Sequence, residues 1–175
     1  MEILTFNEFI IKKPVTDLQD LVNNPVQYIV NIEKDFNEFI SIINNNRDRY
    51  IEDGILTLEG GLFIQQHYRE ISGVKYFDDL PTLWSYILNV VEEYLEIGNG
   101  KSYFPSQPIK IQLNQLQKRK VEFLIDHNRL EVEQDVFLKV ILDRAEFFFI
   151  TLVKELSLSK YKYEIDQIQK LKSMI

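Results

Sequence analysis

The sequence has no cysteine, which excludes disulfide bonds, thiolate metal sites and cysteine nucleophiles. Its two histidines, His67 and His127, lie 60 positions apart and lack the short spacing of zinc-binding histidine pairs. It has no run of about 18 apolar residues, and its first residues lack the basic and apolar regions of a signal peptide. We therefore expect a cytoplasmic protein without a membrane segment, a metal or a cofactor.

Length and composition are those of an ordinary globular domain. The chain has 175 residues, of which 45% are hydrophobic and 27% are charged. A domain of this length buries roughly 70% of the surface that its unfolded chain would expose, which suffices for a core without crosslinks. We therefore predict a single globular domain over residues 1–175.

Charge is unevenly distributed along the chain. Residues 1–100 carry a net charge of −10 and residues 101–175 a net charge of +3, for a total of −7. Nonspecific nucleic-acid binding needs Lys and Arg to neutralise phosphates, so the acidic half argues against a nucleic-acid partner. An acidic surface would attract a basic protein partner, although it also serves solubility alone.

The longest helical pattern runs over residues 133–158 and contains three consecutive phenylalanines at positions 147–149. Its apolar residues recur at spacings of three and four, which places these side chains on one helix face: Phe137, Ile141, Ala145, Phe148, Leu152 and Leu156. Other apolar residues widen this face, and such a helix needs cover on more than one side. We therefore predict that the rest of the protein packs around it.

The remaining pattern predicts an α+β fold. Three further helices are expected at about 25–45, 81–97 and 160–174, and hairpins at about 55–67 and 108–126. Hairpins, in place of strand–helix–strand units, indicate an antiparallel sheet, which would pack against the four helices.

Some of these assignments depend on local signals that have a second interpretation. The first hairpin is expected to turn at Gly60-Gly61, because glycine readily adopts the positive φ of a tight turn. Alternating apolar residues over 26–32 also permit a strand followed by a shorter helix in the 25–45 segment. Residues 2–12 are expected to be extended, and residues 69–79 to form a loop with a possible short strand.

No motif assembles a catalytic site. Gly100-Lys101-Ser102 matches the end of a phosphate-binding loop, but Leu95 stands where that motif needs its first glycine. Neither histidine has an identifiable partner that would orient it as a base. Asp78 and Asp79 stand at a predicted helix start, where capping explains them. We therefore predict a non-enzymatic protein.

The least generic segment is Tyr103–Pro108, in which two prolines restrict the backbone. One interpretation is a rigid connection that sets the register of the next strand, and the other is a preorganised binding loop. Together with an acidic strip on the preceding helix, the second interpretation predicts a surface for a basic partner: Glu92, Glu93, Glu96, Tyr103, Phe104, Ser106 and Gln107.

Two local patterns carry a family resemblance. They are Asp78-Asp79-Leu80 followed by Leu83-Trp84 and Tyr86, and Phe104-Pro105-Ser106-Gln107-Pro108 before a strand. Across about residues 78–113, the chain resembles small bacterial immunity proteins, which neutralise secreted polymorphic toxins. The resemblance implies an acidic, cytoplasmic protein that acts by binding. It assigns no binding residue, because immunity proteins use many folds and variable surfaces.

The leading hypothesis is a protein-binding domain that neutralises a toxin by covering its active site. One alternative is a small-molecule-binding or enzymatic α+β domain, which a deep polar pocket holding a histidine and carboxylates would favour. Another is a structural homo-oligomer subunit that associates through its apolar C-terminal helix.

Overall fold

A computed structural model of the protein describes residues 4–175. This part of the chain contains the helices α1 (Leu18–Asn23), α2 (Phe36–Asn45), α3 (Arg47–Tyr50), α4 (Leu80–Ile97), α5 (Gln134–Lys154) and α6 (Lys162–Lys172). Its strands are β1 (Leu4–Ile11), β2 (Ile29–Asn31), β3 (Ile51–Glu52), β4 (Ile55–Leu56), β5 (Glu59–Gln66), β6 (Arg69–Ser72), β7 (Phe77–Asp79), β8 (Asn99–Tyr103), β9 (Lys110–Gln115), β10 (Lys120–Ile125) and β11 (Asn128–Glu133). Helices packed on antiparallel strands confirm the predicted α+β class.

The strands form two antiparallel sheets and a small hairpin. The first sheet has the order β2-β1-β5-β6, and β7 pairs with the beginning of β5. The second sheet has the order β11-β10-β9-β8, and β3 pairs with β4 across the Asp53-Gly54 turn. Side chains link the two sheets, because Gln66 and Arg69 donate hydrogen bonds to the backbone carbonyls of Glu131 and Arg129.

The helix α5 lies at the centre of the core, as predicted. Its Phe137 ring lies 6.0 Å from the Phe6 ring of β1 and 5.1 Å from the Phe123 ring of β10, measured between centroids. The helix therefore packs against both sheets, while α6 and α4 contact its other sides. It ends at Lys154, earlier than predicted, and Ser157 then adopts a left-handed backbone conformation with φ 59°.

Two more of the predicted helices are present. α4 and α6 match the helices expected at 81–97 and 160–174. Ile168 and Leu171 of α6 are fully buried in the protein's own core, whereas Ile175, beyond the end of the helix, is exposed. No helix in residues 4–175 has the length and apolar character needed to cross a lipid bilayer.

The predicted helix over 25–45 is wrong, and the alternative of a strand before a shorter helix is correct. Pro25–Gln27 forms a single 3-10 turn, β2 follows it, and α2 begins only at Phe36. Val30 of β2 pairs with Ile10 of β1, so the apolar alternation here follows the two-residue period of a strand. The pairing of β2 with β1 therefore determines the structure of this segment, although Asn24-Pro25 is typical of a helix start.

The predicted turn at Gly60 and Gly61 is also wrong, because both glycines lie inside the unbroken strand β5. This strand pairs with β1 on one side and with β7 on the other. A Cβ atom at Gly60 would overlap the carbonyl oxygen of Phe9, and one at Gly61 would overlap that of Tyr76. The glycines therefore allow the neighbouring backbones to approach closely. This close approach, and not a turn, explains the presence of glycine here.

Other strand predictions are confirmed or extended. β9 and β10 confirm the hairpin at 108–126, with Leu113 opposite Phe123. β1 confirms the extended segment over 4–11, whereas positions 2 and 3 lie outside the described residues. The loop predicted at 69–79 instead contains β6, which follows β5 through a tight turn and pairs with it, and β7, which pairs with the beginning of β5.

We expect Gly60→Ala to lower the free energy of unfolding by about 1–3 kcal/mol, because the added methyl group must displace the β1 backbone. Gly73→Ala is the matched control, since the three atoms nearest to a methyl group there belong to the carboxylate of Glu70, the far end of an exposed side chain. Urea unfolding of both variants measures the difference. Equal loss of stability in the two variants would contradict the role given to Gly60.

Candidate functional site

Two surface depressions adjoin where the first sheet meets the β3–β4 hairpin. They share Thr57 and Glu59 and have cavity volumes of about 240 Å³ and 280 Å³. The first is further lined by Ile11, Lys12, Lys13, Pro14, Arg49 and Tyr50, and the second by Phe77, Asp78, Asp79, Ser106 and Gln107. Together they are termed the groove, with the first depression as its basic end and the second as its acidic end.

Two of the three cations at the basic end form no salt bridge within residues 4–175. Lys12 is paired with a glutamate of α2. Lys13 instead lies over the Tyr28 ring, with its Nζ atom 4.0 Å from the ring centroid. Arg49 lies over the Tyr50 ring at 5.3 Å. Cation–π contacts hold these two charged groups in place while leaving their hydrogen-bond donors available.

The Tyr28 ring beneath Lys13 is itself fixed by a hydrogen bond. Its hydroxyl donates to Asp20 of α1, which also accepts a hydrogen bond from Asn24. These bonds stabilise the carboxylate, so the Tyr28 hydroxyl and then the Asn24 amide lower the pKa of Asp20. The same bond to the carboxylate raises the pKa of Tyr28. Lys13 therefore rests on an aromatic ring that α1 holds in one orientation.

The two aspartates at the acidic end accept hydrogen bonds from the backbone. Asp79 caps α4 by accepting the N–H of Thr82 at 3.2 Å, as predicted, and it also accepts the N–H of Leu58 at 2.9 Å. Asp78 is only 7% exposed and accepts the N–H groups of Asp79 and Ser106, at 2.8 Å and 2.9 Å. Its role is therefore to tie β7 to the proline-containing segment, which sequence reasoning did not reveal.

The proline-containing segment is attached to the fold at several points. Phe104 is buried, and its N–H donates to the carbonyl of Ile109 at 2.9 Å. The Gln107 side-chain amide donates to the carbonyl of Phe77, which leaves its Oε1 atom as an acceptor at the acidic end. The segment is thus a rigid connection, and it also presents Ser106 and Gln107 to the groove.

Glu59 stands at the junction of the two ends. It is exposed, and its backbone pairs with that of Asp79 in the sheet. Its carboxylate makes no hydrogen bond or salt bridge to any other described residue. The groove therefore carries charges of both signs that form no salt bridge among the described residues, with Glu59 on a paired strand and Arg49 in the short helix α3.

The seven residues predicted to form one binding surface lie in different places. Only Ser106 and Gln107 line the groove. Glu92 lies between α4 and α6, where Lys170 at 2.6 Å and then Gln167 at 2.8 Å hold the pKa of its carboxyl below the ordinary value. Because its charge is already neutralised within the protein, Glu92 offers little to a partner.

The remaining predicted residues divide between edge, surface and core. Glu93 accepts the backbone N–H of Lys101 at 3.0 Å, on the edge of β8 that has no neighbouring strand within residues 4–175. Glu96 and Tyr103 are exposed. The prediction that Phe104 contributes to a contact surface is wrong, because this side chain is only 4% exposed and packs in the core. A carboxylate on an open strand edge blocks pairing with other chains, which is a structural role for Glu93.

Neither histidine lines the groove. His67 lies in the turn between β5 and β6, with φ 56°. His127 lies in the turn between β10 and β11, where its side chain is 95% exposed and its Nε2 atom is 3.4 Å from Asp126. In the described part of the chain, no group of three or more His, Asp or Glu side chains is placed to hold a metal ion.

Comparison of the chain with protein-family models, with curated proteins and with solved structures gives no match. Any assignment of function therefore rests on the groove and on the residues around it.

We expect Asp78→Ala to lower the free energy of unfolding by about 1–3 kcal/mol, because the part-buried backbone N–H groups of Asp79 and Ser106 both lose their acceptor. Amide hydrogen exchange should accelerate at Ser106 in particular. Glu93→Ala is a suitable control, since it removes the acceptor of one N–H group at an exposed edge and should cost less. Unchanged exchange at Ser106 in the Asp78 variant would show that other contacts hold the segment.

Proposed function

We propose that this protein is a non-enzymatic binding domain that neutralises a toxic protein in the bacterial cytoplasm by covering its active surface. The observation that carries the proposal is the groove, where Lys13, Arg49 and Glu59 form no salt bridge within residues 4–175. Arg49 and Glu59 are exposed and have no ionic partner among the described residues, whereas the Lys13 charge also acts on the Asp20 carboxylate and lowers its pKa. A charged partner can supply the missing ionic partners with little reorganisation of the protein.

The charge balance supports a partner that is basic overall. A net charge of −7 attracts a basic protein over a distance of about one Debye length, roughly 8 Å at physiological salt. Such attraction increases the rate of association, whereas the local pairs formed in the groove govern specificity. Occlusion of this kind needs a well-ordered surface and no reacting group.

The product of the neighbouring gene is the partner to test first. Titration calorimetry with that protein should show binding that weakens as salt is added. Arg49→Glu should weaken it further, while Lys34→Glu, which makes the same change of charge at an exposed position outside the groove, should have a much smaller effect.

Two results would count against the proposal. The first is the absence of binding at micromolar concentration. The second is turnover of a small molecule by the purified protein, which would favour the enzymatic alternative. Inhibition of the partner's own activity in proportion to the fraction bound would support occlusion as the mechanism.

A further inference from the structure

We propose that the groove recognises an extended segment of the partner that carries both a basic and an acidic side chain. The inference rests on the proposed function and specifies the chemistry of the partner at the groove. It follows from the side chains at the two ends and from the junction between them.

The acidic end presents oxygen acceptors. Glu59 contributes an exposed carboxylate that has no partner among the described residues. Gln107 adds its Oε1 atom, because its amide group is already bound to the Phe77 carbonyl. Among the described residues, no Lys or Arg side chain lines this depression. A lysine or arginine of the partner therefore complements it, since both are multiple hydrogen-bond donors with a positive charge.

The basic end presents the opposite set. The Arg49 guanidinium can pair with a carboxylate through two parallel hydrogen bonds, and the Lys13 ammonium adds a point charge. Tyrosine rings lie beneath both groups and restrict their motion. An aspartate or glutamate of the partner is the complementary side chain at this end.

The short distance between the ends provides selectivity. Both depressions include Thr57 and Glu59, so one extended segment can contact both. A uniformly basic segment would place a cation against Lys13 and Arg49, and a uniformly acidic one would place an anion against Glu59. Like-charge contacts of this kind penalise the wrong partners, whereas a segment of mixed charge avoids them.

Three synthetic peptides test the inference directly on the full-length protein. Each peptide has about ten residues and spans roughly 30 Å when extended, and all but two of its positions are glycine or serine. One carries two lysines, one carries two glutamates, and one carries a lysine and a glutamate at the same positions. Backbone amide chemical shifts of the ¹⁵N-labelled protein report both the affinity and the site of binding.

We expect the mixed peptide to bind most tightly and to shift amides at both ends of the groove. Arg49→Glu and Glu59→Lys should each weaken its binding about threefold to tenfold, as expected when a surface ion pair is replaced by a like-charge contact. Lys34→Glu and Glu155→Lys change the net charge equally at exposed positions outside the groove and should leave the affinity within about twofold.

Several outcomes would overturn the inference. They are a preference for either uniformly charged peptide, shifts located outside the groove, equal effects of groove and control variants, or no saturable binding of the mixed peptide. Failure of the two proposals can be told apart. If the intact partner binds and the mixed peptide does not, the recognition chemistry is wrong while the proposed function stands. If the peptide binds in the groove and the intact partner does not, the proposed function is wrong.

Discussion

Arg144→Leu is expected to lower the free energy of unfolding by about 3–5 kcal/mol, because it leaves a buried carboxylate without its counter-charge. The carboxylate belongs to Glu8 of β1, whose side chain is fully buried and faces α5. Arg144 is itself only 17% exposed, donates to Glu8, and forms a second ion pair with Glu33 at 3.1 Å. Removing the guanidinium therefore affects a charge that water cannot reach.

Few other groups compensate the Glu8 charge. Within the described residues, its Oε1 atom and the Nε atom of Arg144 have no hydrogen-bond partner. Burial raises the pKa of Glu8 above its ordinary value of 4.5, and the Arg144 charge only partly opposes this effect. The folded state therefore binds the proton more tightly than the unfolded state. This contribution to stability is complete below pH 4.5 and is lost as the pH rises through the folded-state pKa.

The variant should make this pH dependence stronger. Without Arg144, the pKa of Glu8 rises further, so the loss of stability relative to the wild type should be larger at pH 7 than at pH 5. Urea unfolding of both proteins at the two pH values measures the change. A destabilisation that is the same at both would show that the lost ion pair is not its cause.

Two further variants serve as controls for Arg144→Leu. Lys139→Leu removes an exposed partner of Asp143 on the same helix and should cost less than about 0.5 kcal/mol. The double variant Glu8→Leu/Arg144→Leu should recover most of the lost stability, because apolar side chains often replace a buried ion pair without cost. A double variant as unstable as the single one would contradict the explanation.

Phe148→Ala is expected to lower the free energy of unfolding by about 3–5 kcal/mol, through loss of apolar burial and the cavity left behind. Phe148 is fully buried in α5, and its ring meets the Phe149 ring edge-on at 5.3 Å. The neighbouring Phe147 is only partly buried, and Phe147→Ala should cost less. Equal losses for the two variants would mean that α5 is not oriented as described.

The same pair of variants separates stability from binding. Neither phenylalanine lines the groove, so under conditions where each variant remains folded, its affinity for the partner should equal that of the wild type. Calorimetry at a low temperature, after circular dichroism has confirmed folding, provides the comparison. A loss of affinity in folded Phe148→Ala would link binding to the core.

The long helices could be predicted because their signals are local. Helical apolar spacing defined α4 and α5, and Asp79 and Gly98 marked the beginning and end of α4 by a side-chain cap and a left-handed residue with φ 82°. The strand β2 and the two glycines of β5 could not be assigned with equal ease. Their conformation depends on pairing with distant strands, and Gly60-Gly61 has the composition of a turn when its neighbours are unknown.

The groove was only partly predictable. Ser106 and Gln107 were found because two prolines distinguish their segment from the rest of the chain. Lys13, Arg49 and Glu59 stand on three separate segments that the first sheet and the β3–β4 hairpin bring together, so no spacing in the sequence relates them. The available signal was weaker: Lys12-Lys13 is a basic pair within a strongly acidic half of the chain.

The most direct test of the binding account is amide hydrogen exchange of the protein alone and in complex with the product of the neighbouring gene. The account predicts slower exchange on binding at the amide groups of these groove residues: Lys12, Lys13, Arg49, Tyr50, Thr57, Glu59, Ser106 and Gln107. Protection confined to the surface between α4 and α6 around Glu92, with unchanged exchange in the groove, would contradict it.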